Sequence, residues 1–313
     1  VKILMFGRGV IATVYGWALE RAGHDVEFYV RPGRAAEYGP TVDLDLIDLR
    51  RRLRGRPVRE EWPVRFREEL APDHDFDLIV LSVGHHRLAE AAAFLAPRVG
   101  KATVLVSGNV WTEPADAVGA LPLAQVAWGF PMAGGGFGED GVLRGMLMPL
   151  IVFGTIGGLT DREQAVRQVF REAGFRIKEV PRLRDWLLIH FVSDAGIHSQ
   201  GLRLGSLADL AGRRHDLREA ILAGRELLPL LEARGVDLRR GTLFLRAPAW
   251  LTASVFALLT ARFPPARLSF TAHSDPHAVE PREICRDTLA EARRLGVPAP
   301  RLAAAEPYFA AQA

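Results

Sequence analysis

The chain of 313 residues has a single cysteine, Cys285, and only three lysines, Lys2, Lys101 and Lys178. One thiol cannot close an internal disulfide, so a reducing compartment is the default and a cytoplasmic location is expected. The scarcity of lysine leaves three candidates for any chemistry that needs an ammonium side chain. No apolar run reaches the roughly 18 residues that suggest a membrane span. The opening VKILMFGRG reads as a strand broken by glycine, without the length and flanks of a signal peptide. No repeat period and no sustained heptad is visible, and G-x-S-x-G, P-loop and zinc-finger spacings are missing.

What remains is ordinary globular composition, 49% hydrophobic and 25% charged. At about 100–200 residues per domain, this length predicts two domains, each able to bury its own core. Of the 40 basic residues three are lysine, leaving 37 arginines, yet acidic residues are interspersed and the net charge is only +3. The arginine run RRRLRGRPVR at 50–59 reads as a solvated loop, with a polyanion-binding surface as the alternative. The partner expected is a small molecule, not nucleic acid or a membrane.

The first 31 residues carry the clearest signal. An apolar run at 1–6 ends at Gly7-Arg8-Gly9-Val10-Ile11-Ala12, a helix is predicted over 10–22, and GHDVEFYVR reads as a turn and second strand. This β–glycine turn–α–β context gives the G-x-G-x-x-[GA] match its meaning as a dinucleotide site. Gly7 permits the tight turn, Gly9 lets a diphosphate approach the backbone, and Ala12 is small enough for close helix–strand packing. The helix N-terminus offers free N–H groups and a positive dipole end. The second strand ends Val30-Arg31-Pro32-Gly33-Arg34. An NAD site wants a carboxylate there; Arg31 and Arg34 suit a 2′-phosphate, and Glu27 comes too early to serve the ribose, so NADP(H) is the expected cofactor.

Further along, DFDLIVLSV (75–83) predicts a buried strand, 87–97 a helix and ATVLVSGN (102–109) another strand. Val83, Gly84 and Asn109 then fall at the carboxyl ends of parallel strands, where ligands bind in such sheets. Residues 35–75 are variable in character and rich in charge. WGFPMAGGGFGEDG (128–141) reads as a glycine-rich crossing loop, and 142–154 as antiparallel sheet. A helix at 160–173 and a strand at 175–180 complete a Rossmann-type, doubly wound α/β domain over 1–181. Helical patterns at 185–203, 215–235, 243–262 and 277–295 predict an all-α domain over 182–313, with the leucines of 215–235 as core or dimer face and a homodimer expected.

These features together resemble the ketopantoate reductase family over nearly the whole chain. The likeness is carried by VKILMFGRGVIATVYGWALERAGHDVEFYVR, DLIVLSV, Asn109, DGVLRG–IVFG, AGFRIKEVPRLRDW and SFTAHSDPHAVEPREI. It implies a Rossmann domain, a helical second domain, NADPH in the cleft and hydride delivery to the carbonyl of a 2-keto acid. By the same resemblance Gly7, Gly9 and Arg31 are cofactor positions, Asn109 lies near the nicotinamide ribose, Glu283 binds substrate, and Thr271 stands where the family has a serine. The family's lysine after the third strand of this region falls on Gly84, and the glycine after the asparagine is Val110. The family's catalytic lysine, two residues after a tryptophan, falls on Leu188 when counted from Trp186, and its two asparagines fall on Val192 and Gly196.

The same predicted helix carries His190, Asp194 and His198 at i, i+4 and i+8, on one face. His190 is the expected general acid, supported by Asp194, with His198, Thr271 and Glu283 holding substrate. A single metal site is not expected, because His190 and His198 lie about 12 Å apart along a helix. His85-His86, His273 and His277 are weaker candidates for contact with substrate or cofactor, and Cys285 reads as a buried, inert thiol. Trp111, Trp128, Phe130 and Phe137 suggest a less polar substrate than a small keto acid. The complete cofactor set expected is Gly7, Arg8, Gly9, Val10, Ile11, Ala12, Arg31, Arg34, Val83, Gly84 and Asn109. The function expected is NADPH-dependent reduction of a carbonyl or imine in a substrate other than, or besides, ketopantoate; the alternative is an NADP(H)-binding protein without hydride transfer.

Overall fold

A computed structural model describes residues 1–52, 54–239, 241–271 and 279–310. The chain folds as two compact units, Val1–Leu183 and Arg184–Ala313.

The first unit runs β1 (Lys2–Phe6), α1 (Val10–Glu20), β2 (Asp25–Tyr29), α2 (Arg34–Tyr38), β3 (Thr41–Asp48), β4 (Arg56–Pro63), β5 (Phe66–Arg67), β6 (Leu78–Leu81), α3 (Leu88–Leu95), β7 (Thr103–Ser107), α4 (Pro114–Ala117), β8 (Val126–Phe130), β9 (Ala133–Phe137), β10 (Leu143–Leu147), β11 (Leu150–Gly154), α5 (Asp161–Glu172) and β12 (Arg176–Val180). Its main sheet has the order β12-β11-β8-β7-β6-β1-β2-β5. β1 pairs in parallel with both β2 and β6, so the strand order reverses beside β1, the place where doubly wound sheets bind ligands. β11 meets β8 antiparallel, and β12 runs parallel to β11. β6 and β7 are buried along their whole length, as strands covered on both faces must be, which explains their unbroken apolar sequence.

A second sheet, ordered β4-β3-β10-β9, differs from the sequence reading of residues 35–75 and 128–141. In β3 the residues Val42, Leu44 and Leu46 are buried while Asp43 faces out, a period of two. The AGGGF segment is the strand β9, not a crossing loop, and the arginine run splits between the β3–β4 turn and β4 itself. Glycine is required here: a Cβ on Gly135 would lie 2.7 Å from the Arg144 carbonyl oxygen and 3.0 Å from Val10 Cγ1. The second sheet shares one apolar core with α1 and the main sheet. Two indole N–H donors, those of Trp17 and Trp62, fasten it to α1 by bonding Glu60 and Glu20 respectively. Facing the main sheet, a Cβ on Gly16 would come 2.7 Å from Phe28 Cζ and 3.3 Å from Met5 Cγ, so α1 approaches β1 and β2 closely at Gly16.

The second unit continues the helix α6 (Leu183–Leu204) into α7 (Arg214–Glu226), α8 (Leu228–Ala233), α9 (Leu243–Arg246), α10 (Ala249–Arg262), α11 (Pro264–Thr271), α12 (Val279–Arg294) and α13 (Pro300–Ala304). The helix expected over 215–235 breaks at Leu227, before Pro229, and that over 243–262 breaks at Ala247-Pro248. In both places the proline has no N–H for the preceding turn. The α7–α8 leucines Leu217, Leu227, Leu230 and Leu231 are core. α6 and α7 meet glycine to glycine: a Cβ on Gly196 would lie 2.6 Å from the Ala220 carbonyl oxygen and 2.8 Å from the Gly224 nitrogen. Backbone cannot move aside as a side chain does, so Gly196→Ala should lower unfolding free energy by about 1–3 kcal/mol, read from urea denaturation. An unchanged midpoint would mean that this crossing tolerates a methyl group.

Candidate functional site

The glycine turn leaves β1 with Gly7 at φ +91°, a conformation that L side chains rarely adopt, and its N–H donates to the Tyr29 carbonyl at 2.9 Å. Gly9 caps α1 with extended backbone and offers no side-chain acceptor. No acidic residue occupies the first turn, so no side-chain cap or carboxylate engages the opening N–H groups of Val10, Ile11 and Ala12. A Cβ on Gly7 or Gly9 would meet nothing within 4 Å. The result is an open, electropositive end to a helix of eleven residues, at the switch point of the sheet. Ala12 is buried behind it.

A cationic cluster lies beside this turn. The Arg8 guanidinium is sandwiched between the rings of Tyr38 and Phe137, 4.6 Å from each centroid. Burial draws its pKa below the ordinary arginine value, and its buried Nε has no hydrogen-bond partner. Arg34 opens α2, pairs with Glu37 at 2.5 Å and donates to the Tyr38 hydroxyl at 3.2 Å. Arg31 is exposed, and its guanidinium makes no hydrogen bond or ion pair with the described residues, while its backbone carbonyl accepts from the Arg34 N–H at 3.1 Å. Glu27, on β2, is taken up by Arg67 at 3.0 Å and Lys2 at 3.9 Å.

Beyond β6 and β7 the chain supplies Ser82, Val83, Gly84 and Asn109, all half-buried. The two strand ends lie close together: a Cβ on Gly108 would be 3.4 Å from the Val83 carbonyl oxygen. The Ser82 hydroxyl is buried and lacks a partner. His85 is half-buried, His86 is exposed, and their rings sit edge to face. Trp111, Trp128 and Phe130 are buried, so they belong to the core; only Phe137 of the four aromatics reaches the cationic cluster.

In the helical unit, most of α6 is core, including Leu188 and Val192. Trp186, His190, Asp194 and His198 are half-buried and spaced by four. His190 Nε2 lies 3.4 Å from Asp194 Oδ2, and the Trp186 ring stacks on the imidazole with centroids 5.1 Å apart and 8° between planes. Glu283 on α12 pairs with Arg286 at 2.5 Å, and Arg286 also donates to the Phe309 carbonyl. Thr271 ends α11; the remaining candidates His273 and His277 lie outside the described residues. Burial pushes the Cys285 thiol pKa up, with Asp194 adding to the effect, so this cysteine is no nucleophile at neutral pH. Among the described residues no cluster of three metal-ligating side chains occurs, and no helix is long and apolar enough to cross a membrane.

Residues 3–158 match the family model of Ketopantoate reductase PanE/ApbA. By this domain the chain belongs to the ketopantoate reductase family. The family is one of nicotinamide-dependent oxidoreductases. No curated protein sequence matches the chain. Among solved structures it is similar to 2-dehydropantoate 2-reductase from Geobacter metallireducens, at 17% identity over 99% of each chain with a TM-score of 0.72. It is similar also to 2-dehydropantoate 2-reductase from Methylococcus capsulatus, at 18% identity over 98% of this chain and 95% of that one, TM-score 0.66. A third is D-mandelate dehydrogenase in complex with NADH, at 13% identity over 99% of this chain and 97% of that one, TM-score 0.71. At such identities the likeness is one of fold.

Counting from Trp186 puts the family's lysine and asparagines at Leu188, Val192 and Gly196, three positions that are buried here. The polar residues sit instead on the accessible stripe that Trp186 itself begins. Two residues turn a helix by about 200°, so the two sets lie on opposite faces. Sequence reasoning missed Tyr38, Gly16 and Glu37. Tyr38 and Glu37 follow Arg34 at helical spacing, and that i,i+3 and i,i+4 pattern was the available signal.

Proposed function

We propose that the chain binds NADP(H) in its first unit and reduces the carbonyl or imine of a small substrate other than, or in addition to, ketopantoate. The observation that carries this reading is the open N-terminus of α1: unobstructed glycines, N–H groups with no side-chain cap, and a guanidinium without a partner, Arg31, beyond the neighbouring strand. These residues fit the cofactor. Val10, Ile11 and Ala12 would present their N–H groups to the diphosphate, and Arg31, with Arg34 and Arg8 behind it, to the 2′-phosphate. Glu27 is engaged elsewhere and leaves no strand-end carboxylate for an NAD-type ribose contact. Val83, Gly84 and Asn109 would line the strand ends on the nicotinamide side.

When bound, the reduced nicotinamide supplies the hydride that reaches the substrate carbon. His190 would deliver the proton that the substrate's carbonyl oxygen takes up. Asp194, 3.4 Å away, would support it in that role, and the Trp186 ring stacks on the imidazole. Thr271, Glu283 and His198 would hold the substrate, with Glu283 acting through, or released from, Arg286. The buried apolar residues at 188 and 192 favour a second reading, an NADP(H)-binding protein without hydride transfer.

Calorimetry with NADPH, followed by coenzyme oxidation across a panel of aldehydes, 2-keto acids, ketones and imines, separates these readings. Binding with turnover is expected. Binding without turnover on any member of the panel selects the second reading, and failure to bind either NADPH or NADP⁺ overturns both.

A further inference from the structure

We infer that the turn between β3 and β4 is a docking surface for the phosphate backbone of a nucleic-acid duplex, engaged without regard to base sequence. Arg51, Arg52 and Arg54 in the turn and Arg56 at the start of β4 are all exposed, and none of their guanidiniums makes a hydrogen bond or ion pair with the described residues. This sets them apart in the first unit. Arg21, Arg59, Arg65, Arg67, Arg144 and Arg167 each engage a carboxylate. Among the described residues of that unit, no other single turn, helix or strand carries more than one unpaired guanidinium.

The turn stays positive because its one local counter-ion is taken. Asp48 is the only carboxylate in residues 48–59. Arg50 occupies both its oxygens, with Nε on Oδ1 at 3.0 Å and a terminal nitrogen on Oδ2 at 2.9 Å. Arg56 stands directly across the register from Asp48 and still finds no acceptor. Arg50 also donates to the Ala173 carbonyl at the end of α5, at 2.6 Å, and lies against the rings of Trp17 and Phe175. The base of the turn is thereby fixed to the body of the unit, and the Gly55 N–H closes it on the Arg52 carbonyl at 2.9 Å. The exposed carboxylates of this hairpin, Asp43 and Glu61, face each other five register positions further on. That is about 16 Å at about 3.3 Å per residue, beyond the roughly 8 Å over which charges act at physiological salt.

Chemistry and shape choose a duplex as the occupant. The exposed residues described from 51 to 59 are arginines and Pro57, with no aromatic or aliphatic side chain beside them. A protein interface wants an apolar core inside its polar rim, and single-strand binding draws on rings for bases to stack on. Neutralising phosphodiesters needs neither and gains from the release of condensed counter-ions. The planar fork of a guanidinium also meets two phosphate oxygens at once, as an ammonium does not. Arg51 and Arg52 lie on the β3 side of the turn, Arg54 and Arg56 on the β4 side. The two limbs of such a pair are about 4.8 Å apart, a ribbon narrow enough for a major groove about 12 Å wide with a phosphate strand on either side. A lipid surface offers one plane of charge and would engage only the tip. Backbone contacts of this kind carry no base information, hence the absence of sequence preference.

Fluorescence anisotropy of a labelled duplex of about 20 base pairs, titrated with the full chain over a range of salt, decides the matter. The wild type should bind with a dissociation constant of about 10 µM or tighter at about 50 mM salt, and log K against log[salt] should have a slope of about −3 to −4, as for four phosphate contacts. Arg54→Gln combined with Arg56→Gln should weaken binding at least about tenfold and make the slope shallower by about 2. Arg293→Gln combined with Arg294→Gln removes the same charge from arginines that engage Glu306 and Glu291, and should change the affinity by less than about twofold. Should the first double variant unfold, Arg54→Gln alone replaces it, read as a slope shallower by about 1. No binding by the wild type at low salt overturns the inference, and so does an equal loss in the two double variants. Tighter binding to a single strand of the same length, or binding to phosphatidylserine vesicles without binding to the duplex, overturns it too. Coenzyme binding is untouched by these substitutions, so the inference stands or falls apart from the proposed reduction.

Discussion

Arg31→Glu should weaken NADPH binding about a hundredfold or more and leave NADH binding within a few-fold of wild type. Charge-assisted hydrogen bonds contribute about 1.5–3 kcal/mol each, about 10- to 150-fold in affinity, and the substituted carboxylate adds repulsion against the 2′-phosphate. Arg31 is the residue on which this discrimination would rest. Arg34 already spends its charge on Glu37 at 2.5 Å, and Arg8 is held between Tyr38 and Phe137. The side chain is exposed and makes no hydrogen bond or ion pair with the described residues, so the melting curve should not move. Titration calorimetry with both coenzymes reads the result. An equal loss for NADPH and NADH would show that the guanidinium does not recognise the phosphate, and an unchanged NADPH affinity would remove Arg31 from the site altogether.

The second large effect is expected at His190. His190→Ala should lower kcat by about 10²–10⁴-fold while leaving the NADPH dissociation constant unchanged, the signature of a lost proton donor and not of a lost binding contact. Asp194→Asn should lower kcat less, by roughly tenfold, because it removes the charge that stabilises the imidazolium while Trp186 still holds the ring in place. Single-turnover and steady-state rates with the best substrate of the carbonyl panel separate the two variants. A kcat for His190→Ala equal to wild type would refute the assignment and hand the proton to water or to another residue. Both side chains are partly exposed, 32% for His190 and 20% for Asp194, so neither substitution opens a cavity in the core.

The opening of the chain was legible without coordinates. The step from an apolar run to Gly7-Arg8-Gly9 and on to a helix and second strand is local: each piece is set by residues within a few positions of it, and the structure places β1, α1 and β2 where that pattern puts them. The unbroken apolar runs of β6 and β7 announced a sheet covered on both faces in the same way. The second sheet was less legible. In β3 the alternation was present as Val42, Leu44 and Leu46, yet aspartates between them made the segment read only as rich in charge. In β9 three glycines read as flexibility, where close approach to β10 and α1 demands them.

The helical unit marks the boundary most clearly. Composition and periodicity determined that α6 is a helix and that His190, Asp194 and His198 share a side of it. They could not determine which side is covered, because a helix with apolar residues nearly all round offers two candidate faces and burial is a property of its neighbours. Gly196 against Gly224 settles that question: the backbones of α6 and α7 touch there, burying Leu188 and Val192 and leaving the histidines accessible. The same holds for the leucines of α7 and α8 against those of α10, sequences of similar hydrophobicity whose fates differ because one packs inside the unit and the other lies along its surface. Local sequence sets which conformations are cheap; which apolar face meets which is decided by contacts between residues far apart in the chain, and these exist only once it has folded.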